Sequence, residues 1–216
     1  MTTDAAPTNA EGRSAEGSRL IRSFVAVPLP PELQTRVFET AKELATWLPQ
    51  RELRWSRKVE NLHVTIKFLG PTPEERLTSL GQALQRELVK LPRFRLELHR
   101  MGAFPSARHA SVIWAWADDV DGGLATVTAT VETIGEELGF ARERRPMTGH
   151  VTVGRAKGGL KGGGVDARAA LDAFVDREFG SATVGEIHIY ESRLGGGPDN
   201  AGSTYILRHK AALAPN

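Results

Sequence analysis

The chain of 216 residues has no cysteine. That excludes disulfides and a thiol nucleophile. It has no run of 18 or more apolar residues, so no segment reads as a membrane-spanning helix. The first 19 residues, MTTDAAPTNAEGRSAEGSR, are almost without large apolar side chains. They cannot form the apolar centre of a secretory signal and read as a disordered tail. A cytoplasmic location is then the default. Three motifs are also missing: the P-loop, the Gly-x-Gly-x-x-Gly dinucleotide turn and the His-Glu-x-x-His metal helix. The common routes to nucleotide-triphosphate, dinucleotide and zinc-protease chemistry are therefore absent.

The residues present suit one globular unit. Hydrophobic residues make up 40% and charged residues 25%, enough for an ordinary core. The net charge is only +2, but it is unevenly spread. Residues 51–67 carry a net +3, residues 142–161 a net +5, and the remainder a net −6. Positive charge gathered in two windows points to an anionic ligand.

Strand and helix patterns interleave. Residues 20–27 read as a strand ended by Pro28, Pro30 and Pro31, and the apolar spacing from Leu33 to Leu48 predicts a helix. In residues 61–68, Leu62, Val64, Ile66 and Phe68 alternate with Asn61, His63, Thr65 and Lys67, which predicts a strand buried on one side. A helix with Leu77, Leu80, Leu84 and Leu88 comes next. Further strands are predicted near 94–98, 111–117, 149–155, 183–190 and 203–209, with helices over 124–138 and 166–175. The Gly- and Lys-rich stretch 156–164 reads as a surface loop. Paired strands with helices on one side define an α+β fold, with a tail at each end: residues 1–19 and 211–216.

One internal echo carries the chemistry. Residues 62–66 read Leu-His-Val-Thr-Ile and residues 149–153 read Gly-His-Val-Thr-Val, with their histidines 87 residues apart. Strand alternation puts His63 with Thr65, and His150 with Thr152, on one face, roughly 7 Å apart along each strand. Imidazole titrates near neutrality, so one ring can serve as base while the other serves as acid. In-line displacement at phosphorus needs acid and base on opposite sides, and threonine hydroxyls can donate to the non-bridging oxygens. Such a site requires neither metal nor cofactor. His99 and His188 read instead as solvated strand residues without a role. Trp114 and Trp116 share a face, where core packing is favoured over base stacking.

At these residues the chain resembles the two-histidine phosphoesterase superfamily. Within it the likeness is to the RNA 2′,3′-cyclic phosphodiesterases, also described as 2′-5′ RNA ligase-like. The resemblance spans about residues 20–209. It rests on Arg22–Pro28, Trp55, Asn61–Gly70, Phe104-Pro105-Ser106, Val112-Ile113-Trp114, His150–Arg155, Glu191–Leu194 and Tyr205-Ile206-Leu207. It implies a bilobal fold of two pseudo-symmetric antiparallel-sheet lobes with outer helices around a central groove. It implies hydrolysis of a 2′,3′-cyclic phosphate to a 2′-phosphate, with His63 as proton donor, His150 as proton acceptor, and Thr65 and Thr152 on the phosphate. Expected substrates are RNA ends, such as tRNA fragments, or small cyclic nucleotides, acted on by a monomer with no membrane partner.

Lys67 has the parity of His63 and is a secondary substrate-binding candidate. Arg155 has the parity opposite to His150, so a phosphate role for it needs a strand irregularity. The family pattern has an aromatic, a basic residue and proline just before the second histidine; here Pro146 lies four residues upstream of His150 and Thr148-Gly149 intervene. The alternatives are 2′-5′ ligation by the same residues, a non-catalytic binder of RNA ends and, more remotely, a metal hydrolase.

Overall fold

The computed structural model describes residues 19–49, 51–157, 164–194 and 202–215. The chain order is β1 (Leu20–Pro28), α1 (Pro31–Ala45), β2 (Leu53–Trp55), β3 (His63–Pro73), α2 (Glu74–Leu88), β4 (Phe94–Phe104), β5 (Val112–Asp119), α3 (Gly123–Glu137), β6 (His150–Ala156), α4 (Arg168–Asp172), β7 (Glu178–Val184), β8 (Glu186–Leu194) and β9 (Ser203–Ala212). The expected tail, apart from Arg19, and residues 158–163 of the Gly/Lys-rich loop lie outside the described residues. Among the described residues, no helix is long and apolar enough to cross a membrane.

The helices begin and bury as their sequences dictate. Pro31 opens α1, where its missing N–H costs nothing, and Leu33, Val37, Ala41 and Leu44 enter the core at helical spacing. The α2 stripe of Leu77, Leu80, Leu84 and Leu88 is likewise buried.

Among the described residues, all nine strands join one antiparallel sheet in the order β7-β4-β5-β6-β3-β1-β8-β9, with β2 paired to β6. The order divides it into two four-stranded lobes, β9-β8-β1-β3 and β7-β4-β5-β6. The lobes meet at a single residue pair, Val64 on β3 with Val151 on β6. Both valines are fully buried on the helix-bearing face. The opposite face forms the groove.

The structure extends some expected elements and splits others. Strand β4 runs on to Phe104, and the expected strand at 183–190 is two strands, β7 and β8, that part around Gly185. The expected tail from residue 211 is instead the end of β9; Leu213 is buried and Ala214 pairs with Pro92.

Candidate active site

An antiparallel residue pair lies on a local two-fold axis. With Val64 opposite Val151, continued pairing would put His63 beside Thr152 and His150 beside Thr65. The valines point into the core, so all four polar side chains point into the groove. The repeat in the sequence thus becomes a dyad in space.

The equivalence reaches further than the motif. Ala26 pairs with Thr65 and Val25 with Lys67, so Ile66 is an extra residue in β3. Trp114 pairs with Thr152 and Ile113 with Gly154, so Val153 is an extra residue in β6. Each bulge flips the parity of the residues after it. Residues 64–68 and 151–155 accordingly share one burial pattern: buried, intermediate, buried, buried, exposed.

This corrects the expectation for Lys67. The bulge at Ile66 turns Lys67 through the sheet, away from the groove. Its ammonium lies buried, 2.7 Å from Glu132 Oε2 on α3 and 2.7 Å from the Ala141 carbonyl. Phe68, expected in the core, is instead 67% exposed at the groove. The matching bulge at Val153 supplies the irregularity that Arg155 required. Arg155 Nη2 lies 3.4 Å from Thr152 Oγ1, and the guanidinium is close enough to act electrostatically on both histidines.

Each imidazole is anchored in the same way. His63 Nδ1–H donates to the Asn61 carbonyl at 2.7 Å, and His150 Nδ1–H donates to the Thr148 carbonyl at 2.7 Å. A carbonyl only accepts, so a neutral ring keeps its proton on Nδ1 and offers the Nε2 lone pair. Thr65 Oγ1 lies 3.1 Å from His63 Nε2 and donates to it. Gly149 explains the departure before the second histidine. A Cβ there would fall 2.1 Å from the Ala117 carbonyl oxygen, and Ala117 N donates to Gly149 O at 3.0 Å. Only glycine lets β6 start this close to β5, which brings the Thr148 carbonyl under His150.

Aromatic rings pack around both histidines. Phe24 stacks on His63 at 4.8 Å and Tyr205 meets it edge-on at 5.2 Å. Phe104 meets His150 edge-on at 5.2 Å. Loss of water against these walls pulls His63 down to about 4; the Asn61 carbonyl opposes this, while Arg155 and His150 lower it further. His150 lies below its ordinary value through burial first, opposed by the Thr148 carbonyl and assisted by Arg155. Both rings are therefore neutral at pH 7.

Phe24, Tyr205 and Phe104 were not read as site residues from the sequence. Phe24 alternates onto the groove face of β1, which was legible, but Tyr205 arrives from the far end of the chain. His188 also departs from expectation: it is buried, with Nε2 2.7 Å from Glu186 Oε1 and Nδ1 2.7 Å from the Tyr190 hydroxyl. Trp114 is buried, but on the groove face against Phe104 and His150 rather than in the hydrophobic core, and Trp116 beside it is only partly buried.

Two His-x-Thr strands related by a sheet dyad define a phosphoesterase of the two-histidine class. Comparison with known proteins narrows this. The family model described as "LigT like Phosphoesterase" matches residues 27–114. The RNA 2′,3′-cyclic phosphodiesterase of Aeropyrum pernix is 32% identical over 137 residues, covering 62% of this chain and 72% of that protein. The protein of the same name from Methanocaldococcus jannaschii is 28% identical over 176 residues, covering 81% and 92%. Among solved structures, one from Thermus thermophilus superposes with a TM-score of 0.70 at 25% identity, covering 91% of this chain and 100% of that one. Escherichia coli LigT complexed with 3′-AMP shares the fold, with a TM-score of 0.67 at 23% identity over 90% of this chain and 99% of its own. The chain belongs to the LigT-like phosphoesterase family.

Proposed function

We propose that the protein hydrolyses RNA 2′,3′-cyclic phosphate ends to 2′-phosphates without a metal, using His63 and His150 as the acid–base pair. The observation that carries this reading is the dyad at Val64 and Val151, with an imidazole on each side held to a backbone carbonyl through Nδ1. A phosphorus atom on that axis has one histidine on the side of the attacking water and the other on the side of the leaving oxygen.

His150 Nε2 takes a proton from water as its oxygen bonds to phosphorus. The P–O3′ bond breaks, and His63 Nε2–H delivers a proton to O3′. Thr65 and Thr152 donate to the non-bridging oxygens, and Arg155 balances their charge. His63, whose burial holds it near 4, gains its proton as the phosphate arrives. The incoming anion favours the imidazolium directly and offsets the field of Arg155. The names of the A. pernix and M. jannaschii relatives support this substrate class.

The test is a short oligoribonucleotide ending in a 2′,3′-cyclic phosphate, incubated with the protein in excess EDTA, with the product end identified. Opening to a 2′-phosphate that disappears in His63→Ala and in His150→Ala is the expected result. A 3′-phosphate product, or turnover abolished by EDTA, overturns the mechanism. Intact turnover in either histidine variant overturns the role of that residue.

A further inference from the structure

Among the described residues, the two sides of the dyad are lined differently. In the β1 lobe, Tyr205 packs against His63, and the β8–β9 end is pinned across β3 by Asn61 Nδ2 donating to the Ser203 carbonyl at 2.7 Å and by Lys58 Nζ beside Thr204 Oγ1 at 3.1 Å. These contacts wall that side among the described residues. In the other lobe, Trp116 pairs directly with His150 across β5 and β6 and so stands on the same face. Its indole is partly exposed and lies 5.3 Å from the ring of Trp114.

One strand further out, β4 is irregular. His99 pairs with Trp116 and Met101 with Ala115, which leaves Arg100 as a bulge residue with φ +32°. A non-glycine residue in that region is strained, and a bulge of this kind re-aims a side chain. Here it swings the Arg100 guanidinium over the Trp116 ring, 4.9 Å from its centroid. Asp118 accepts hydrogen bonds from the Trp116 indole N–H and from His99 Nε2. The nearby carboxylate is thereby engaged, and the indole is held in place. Trp116 lies one strand spacing from His150, and Arg100 two, roughly 10 Å.

We infer that Arg100 and Trp116 form a subsite for the nucleotide on the 5′ side of the one that bears the cyclic phosphate. The inference rests on the proposed function. A 2′,3′-cyclic phosphate occupies the 3′ end, so any further RNA extends on the 5′ side, and Trp116 stands next to His150 on the groove face to receive it. A flat guanidinium over an indole is a surface on which a base stacks without regard to its identity. The protein is thereby built to prefer oligonucleotides over free cyclic mononucleotides.

The test compares kcat/KM for a 2′,3′-cyclic mononucleotide with that for the dinucleotide carrying the same cyclic end. The proteins are the wild type, Arg100→Gly and Trp116→Ala. Glycine relieves the positive φ, so the first variant keeps the backbone while removing the guanidinium. The wild type is expected to favour the dinucleotide by about fivefold to a hundredfold, the range for one stacked base. Both variants bring that ratio close to one. Equal use of the two substrates by the wild type, or an unchanged ratio in both variants, overturns the subsite and leaves the proposed function standing. Failure of the wild type to open either substrate overturns both.

Discussion

Acid should destabilise this protein through His63 in particular, and the size of the effect is set by its packing. Phe24 and Tyr205 exclude water from a ring whose Nδ1 is committed to the Asn61 carbonyl. The folded ring binds its proton near 4, against 6.5 in a solvated chain. Between those values the unfolded chain binds more protons, so stability rises with pH and falls as acid is added. For this one residue the loss between pH 7 and pH 5 is at most about 2 kcal/mol, and roughly 3 kcal/mol once both states are protonated.

The comparison is with His63→Asn, whose amide can still donate to Asn61. Urea unfolding, followed by tryptophan fluorescence at pH 7 and pH 5, gives the stability of each protein. His150, His188 and His209 also lie below their ordinary values, chiefly through burial, and they carry the same sign. They remain in both proteins and cancel in the difference. The wild type should lose about 1–2 kcal/mol more than the variant over that range. A difference below about 0.5 kcal/mol would refute the claim that the aromatic wall desolvates His63.

The same depressed values make kcat/KM bell-shaped, with an optimum below pH 6.5. One proton shared by the pair is most populated between His63 near 4 and the lowered value of His150. A profile still rising at pH 8 contradicts this. Lys67→Met strands Glu132 in the core and should cost about 3–5 kcal/mol, most of it restored by adding Glu132→Leu, as denaturant midpoints would show; a wild-type midpoint in the single variant returns Lys67 to the substrate. Gly149→Ala pushes a methyl group into the Ala117 carbonyl and should cost about 1–3 kcal/mol and lower kcat by displacing the anchor of His150. Unimpaired turnover by that variant would detach the β6 start from His150 positioning.

The local elements were written in short-range pattern. The stripes of α1 and α2, the alternation about His63 and His150, and the repeated His-Val-Thr fell out of spacing alone, because helix and strand periods are properties of neighbouring residues. The face that Lys67, Phe68 and Arg155 occupy was not legible. It depends on one extra residue in each strand, and a bulge exists only relative to a partner strand, here β1 for Ile66 and β5 for Val153. Pairing across 87 residues of chain, at one pair of valines, turned two copies of a motif into a dyad. The depressed proton affinity of His63 was equally out of reach, since Tyr205 reaches it from 142 positions along the chain. The residues capable of acid–base chemistry are a matter of sequence. The direction they face and the water they lose are decided by strand register and by the packing of β9 against β3.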